Sequence, residues 1–153
     1  MITTNSAAPD FTLPRDGGGN VTLSQYKGMN VVLFFYPKDN TPGCTNEAID
    51  FTAHLPQFAA LNTVVLGISK DSVKKHENFC AKHNLKVPLL SDADSDVCET
   101  YGVWKEKKMY GKTFWGIERT TVLIDKDGEV QHVWNKVKVP GHAAAVLEET
   151  QKL

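Results

Sequence analysis

The chain has 153 residues, 41% apolar and 23% charged, with a net charge of −1, which predicts one domain, residues 1–153, with a real core of its own. No basic patch points to nucleic acid, no charge block to a membrane surface, and no apolar run to a membrane span. No secretory signal is read at the N-terminus, and three cysteines, an odd and low count, fit a reducing cytoplasm.

In chain order, residues 10–14 and 21–23 read as short strands around the turn signal Asp16-Gly17-Gly18-Gly19-Asn20, an N-terminal β-hairpin. The apolar run 31–36 reads as a central strand, followed by a helix over 43–60 with a kink near Pro56. Residues 64–69 predict a second central strand. Asp71-Ser72 caps a helix to about His83. Leu89-Leu90-Ser91 is a short strand, and Asp94-Ser95 starts a helix ending near Gly102. Residues 120–125 and 129–135 form a hairpin around Lys126-Asp127-Gly128. A last helix, 140–151, places Ala143, Val146, Leu147 and Thr150 on one face. This order predicts an α/β sandwich with a mixed central sheet flanked by helices.

The densest local signal runs from Pro37 to Cys44. Thr41 suits an N-cap and Pro42 the first helical position. Gly43 lets a small ligand approach the backbone amides. Cys44 then falls in the first turn of a helix, at the carboxyl end of a buried strand. A helix N-terminus favours negative charge and therefore a thiolate. The alternative is an ordinary strand-to-helix turn with a packed cysteine.

The string Pro37-x-x-x-Thr41-x-x-Cys44 resembles the active-site motif of the peroxiredoxins. Residues 36–48 are similar to the bacterioferritin-comigratory-protein, or peroxiredoxin Q, branch. Two further segments carry the resemblance, Ala8-Pro9-Asp10-Phe11-Thr12-Leu13 and residues 116–125. It runs from about Ala8 to Ala145 and implies a thioredoxin-like fold. It also implies a thiol peroxidase that reduces hydrogen peroxide and organic hydroperoxides, with no metal, haem or flavin, recycled by thioredoxin or a similar dithiol. A disulfide within one chain would let such an enzyme work as a monomer.

On that resemblance Cys44 is the peroxidatic cysteine, attacking a peroxide oxygen to give a sulfenic acid. Arg119 matches the arginine that holds the thiolate and orients the peroxide; by spacing alone it is more readily a solvated arginine at a strand start. Thr41 is expected to cap the helix with backbone and hydroxyl, and the resemblance adds a hydrogen bond from the hydroxyl to thiolate or peroxide. Pro37 shapes the pocket. Glu47 suits the helix dipole and could hold Arg119.

Some members of the branch place a second cysteine five residues after the first, but that position here is Ile49. Other members place it on the next helix, where Cys80 stands as the resolving cysteine. Its plainer reading is packing, because Val73 and Cys80 share a helix face. A disulfide needs Cα atoms within about 7 Å, so the first turn around Cys44 and the end of the 71–83 helix are expected to loosen after oxidation. Cys98 reads as packing and residues 105–108 as a solvated face. Phe114 and Trp115 read equally as active-site wall or as core.

Overall fold

The apolar run at 31–36 becomes the middle of the structure. In the computed structural model, which describes residues 2–153, it forms strand β3 (Asn30–Phe35), preceded by β1 (Thr12–Pro14) and β2 (Asn20–Thr22). Then follow α1 (Pro42–Ala60), β4 (Thr63–Ser69), α2 (Val73–His83), β5 (Leu89–Ser91) and α3 (Val97–Thr100). The chain continues through β6 (Trp104–Met109), β7 (Lys112–Ile117), β8 (Thr120–Ile124), β9 (Val130–Trp134) and α4 (His142–Thr150). No helix among the described residues is long and apolar enough to cross a membrane.

Five strands make one mixed sheet in the order β5-β4-β3-β8-β9. β3 runs parallel to β4 and antiparallel to β8, with Phe35 opposite Ile68 on one side and Thr120 on the other. Alternation along β3 divides the core in two. Val31, Leu33 and Phe35 pack with Leu13, Val21 and the α3 residues Val97 and Cys98. Val32, Phe34 and Tyr36 pack with Phe51 and Phe58 of α1, Phe79 of α2 and Val146 of α4. Gly67 lets the second layer close: a Cβ there would lie 2.7 Å from both Phe34 Cζ and Leu89 Cδ2.

The N-terminal hairpin forms as expected, with Leu13 opposite Val21. Ser72 caps α2 by accepting the Lys75 N–H, and the four residues expected on one face of the last helix are buried. Helix α1 continues through Pro56 to Ala60. Two readings need correction. The helix expected from Asp94-Ser95 shrinks to the single turn α3, because the side chain that receives its first amides is Asp92, which accepts Val97 N–H at 3.2 Å and Cys98 N–H at 2.8 Å. The hairpin β6–β7 is absent from the sequence reading. Its residues 105–116 are exposed or half-buried, so no alternation marks its strands, and its turn rests on positive φ at Tyr110 (55°) and Gly111 (75°).

Candidate active site

The loop leaving β3 passes Pro37, half-buried, and Asn40, whose φ of 62° is a left-handed conformation that asparagine tolerates. Thr41 is extended and occupies the N-cap of α1, with Pro42 as first helical residue. Its carbonyl accepts the Thr45 N–H at 2.9 Å. Its hydroxyl does not cap the helix, contrary to expectation: it donates to the Lys38 carbonyl at 2.8 Å, tying the loop to itself. Cys44 thus lies in the first turn of α1, where backbone N–H groups lack helical partners.

Arg119 reaches this thiol from the start of the neighbouring strand β8. Antiparallel pairing of Phe35 with Thr120 brings the residue before β8 level with the chain leaving β3. Its guanidinium forks: Nη2 donates to Cys44 Sγ at 3.2 Å and Nη1 to Glu47 Oε1 at 2.7 Å. Gly43 leaves room for this approach, since a Cβ there would sit 3.2 Å from Nη2. Burial works against the Arg119 charge, but Glu47 and Cys44 outweigh it and raise its pKa. The fork geometry is one that a lysine cannot supply.

Cys44 and Glu47 are both 1% exposed. Burial raises the Glu47 carboxyl to about 7, with Arg119 opposing the rise. Its Oε2 is a buried oxygen with no hydrogen-bond partner. His142, at the start of α4, is lowered to about 4, first by burial and then by Arg119. It is therefore neutral at pH 7, and its Nε2 lies 2.7 Å from Thr121 Oγ1.

Lys107 was expected on a solvated face with its neighbours. Instead it is half-buried, its stem lying along Gly116 and its amine donating to the Ile117 carbonyl. Burial first, and then the Arg119 charge, lowers its pKa, against smaller opposing effects of Glu118 and Cys44. Only the strand register, which sequence spacing did not reveal, turns Lys107 inward, and Lys105, two positions earlier, is half-buried as well. Lys105 pairs with Glu118 at 3.1 Å. Phe114 and Trp115 are exposed, so neither belongs to the core.

The other two thiols have different surroundings. Cys80, half-buried near the end of α2, is pushed up to about 12 by burial, then by Asp16 and Asp39. Cys98 is fully buried, and burial with Asp92 raises its thiol further. All three cysteines are free. The structure therefore brings Thr41, Cys44, Glu47 and Arg119 to one place, and leaves Cys80 on a separate helix.

A thiol in the first turn of a helix, under a forked guanidinium and on a thioredoxin-like sandwich, belongs to the class of thiol peroxidases built on that fold. Residues 4–133 match the model of the AhpC/TSA family. The chain is 53% identical over 146 residues to the putative peroxiredoxin bcp of Coxiella burnetii, covering 95% of this chain and 97% of that protein. It is 51% identical over 141 residues to peroxiredoxin Bcp of Bacillus subtilis, covering 92% and 90%. Among solved structures, a mutant of Xylella fastidiosa PrxQ superposes with a TM-score of 0.95 at 42% identity, covering 99% and 97%. The chain belongs to the AhpC/TSA family, in the Bcp, or peroxiredoxin Q, branch of the peroxiredoxins.

Proposed function

We propose that this peroxiredoxin runs a two-cysteine cycle in which Cys44 attacks the peroxide and Cys80 resolves the product. The observation that carries the reading is the 3.2 Å contact between Arg119 Nη2 and Cys44 Sγ. The Cys44 thiolate attacks one oxygen of the O–O bond. That bond breaks, sulfur is oxidised to the sulfenic acid, and the other oxygen leaves as water or an alcohol after taking a proton. Arg119 holds the thiolate and stabilises the charge passing to the leaving oxygen. Thr41 orders the loop, and Pro37 shapes the pocket and screens the sulfenic acid.

Resolution follows when the Cys80 thiolate attacks the Cys44 sulfenic sulfur. An S–S bond forms, the S–O bond breaks, and the oxygen leaves as water after taking a proton. Both helices must open locally for this, because Cys44 is buried in the first turn of α1 and Cys80 sits near the end of α2. Opening also frees Cys80 from the burial and the carboxylates that hold its thiol up. A dithiol such as thioredoxin then reduces the disulfide. The substrates are hydrogen peroxide and organic hydroperoxides, and the enzyme works as a cytoplasmic monomer without metal or cofactor.

Peptide mapping by mass spectrometry after one equivalent of hydrogen peroxide tests this cycle. The expected product is a Cys44–Cys80 link within one chain. Cys44 found only as sulfenic or sulfinic acid, with Cys80 free, makes this a one-cysteine peroxidase resolved by an external thiol. Unmodified Cys44 removes its catalytic role.

A further inference from the structure

Beside the thiol site, a buried polar knot joins four segments. Tyr36 Oη donates to Asp39 Oδ1 at 2.6 Å. His76 Nδ1 meets Asp39 Oδ2 at 2.7 Å, and His76 Nε2 donates to the Leu90 carbonyl at 2.9 Å. The Asp39 N–H donates to Asp71 Oδ2 at 2.7 Å, and Ser69 Oγ donates to the same oxygen at 3.0 Å. His76 is 0%, Tyr36 1% and Asp39 8% exposed. The attack step described above uses none of these groups.

What matters is where the partners come from. Asp39 stands in the loop that carries Thr41 and leads into Cys44. His76 lies one helical turn before Cys80 on the same helix. One proton between Nδ1 and Oδ2 therefore ties the Cys44 loop to the Cys80 helix. A buried carboxylate or imidazole deprived of its partner loses far more than the net worth of the pair. If the loop opens alone it strands the ring, and if the helix opens alone it strands the carboxylate.

We propose that Asp39 and His76 are positioning residues for the resolving step, latching the Cys44 loop to the Cys80 helix so that the two segments open together. The proposal rests on the two-cysteine reading above. Asp39 has a second effect in the closed state. With burial and Asp16, it holds the Cys80 thiol up, so the same opening that breaks the latch also releases the resolving thiol. Tyr36, raised well above its ordinary value by burial and then by Asp39, stays protonated and keeps donating. The latch delays resolution and lengthens the life of the sulfenic acid, which exposes it to a second peroxide and to sulfinic acid.

The test uses the full chain with His76→Gln and Asp39→Asn. Rapid quench measures Cys44 oxidation, Cys44–Cys80 disulfide formation and the sulfinic fraction, and hydrogen exchange of the reduced protein follows residues 38–46 and 76–84. In the wild type the two segments are expected to share one opening. His76→Gln should separate them, speed disulfide formation about tenfold and lower the sulfinic fraction, with a much smaller change in peroxide attack. Asp39→Asn keeps an acceptor for Tyr36 and can donate its amide N–H to the ring. Its effect should be smaller and in the same direction, and it carries the test if His76→Gln does not fold. A wild-type disulfide with both variants unchanged overturns the latch alone. Attack and resolution slowed equally, together with a lower Tm, overturn it as general destabilisation. No disulfide in the wild type overturns the two-cysteine reading, and the latch with it.

Discussion

Cys44 and Cys80 are the same side chain in opposite surroundings. Cys44 lies under the Arg119 guanidinium, among the free amides of a helix start. Cys80 lies near the other end of its helix, and the charges that act most on it are the carboxylates of Asp16 and Asp39. Both are shielded from water, Cys44 more so. Burial alone therefore does not separate them; the sign of the neighbouring charge does. In the proposed cycle the thiol beside the cation is the one that attacks in the closed fold, and the one beside carboxylates is the one withheld until the fold opens. On that proposal the contrast would order the chemistry, with attack first and resolution second.

The largest expected effect comes from removing the cation on the Cys44 side. Arg119→Gln should lower the second-order rate of Cys44 oxidation by about 10²–10³, the usual loss when a donor aimed at developing charge is removed. Arg119→Lys should recover only part of it, because an ammonium cannot fork to Glu47 and Cys44 together. Stopped-flow oxidation by hydrogen peroxide measures both. A wild-type rate in Arg119→Gln would leave the helix start as sole support of the thiolate and break the contrast on that side.

How far this contrast was legible depends on sequence distance. Thr41, Pro42 and Cys44 are neighbours, so strand, cap and first turn could be read directly. Even there the hydroxyl of Thr41 chose the Lys38 carbonyl over the helix amides. Arg119 lies 75 residues from Cys44, and only the family resemblance singled it out, because local pattern does not separate it from a solvated arginine. The β6–β7 hairpin was missed because a ribbon lacking a buried face carries no period-2 alternation. Lys107 went with it. The Asp39–His76 pair spans 37 positions, and neither residue carries a motif that announces the other.

The carboxylate held by Arg119 gives the next effect, on stability. Glu47 has a folded pKa of about 7 against an ordinary 4.5, so the folded chain keeps a proton that the unfolded chain has released. The protonated carboxyl's contribution is full below pH 4.5 and is lost as pH rises through 7. The unfolding free energy of the wild type should therefore fall relative to Glu47→Gln by on the order of 3 kcal/mol across that window. His142 acts in the opposite sense. Its folded value is about 4 against 6.5, so its contribution is present above 6.5 and is lost as pH falls through 4. Taking the difference between the two proteins largely removes it. Urea unfolding at several pH values makes the comparison. A flat difference would mean that Arg119 fully offsets the burial of Glu47.

The smallest effect sharpens the Cys80 side. Asp16 accepts the Leu89 N–H at 2.9 Å through Oδ1, and an asparagine can keep that bond. Asp16→Asn then removes a charge beside Cys80 with little change in shape. In a Cys44→Ser background, alkylation by iodoacetamide should speed up severalfold at a fixed pH near neutrality, the scale of one partly screened charge. The midpoint of its pH profile should also move down. Cys98, fully buried, should stay unmodified in the folded protein and serve as an internal control. Unchanged alkylation would assign the withholding of Cys80 to burial alone. The two thiols would then differ by a cation on one side only, and opening the helix rather than shedding carboxylates would be what activates Cys80.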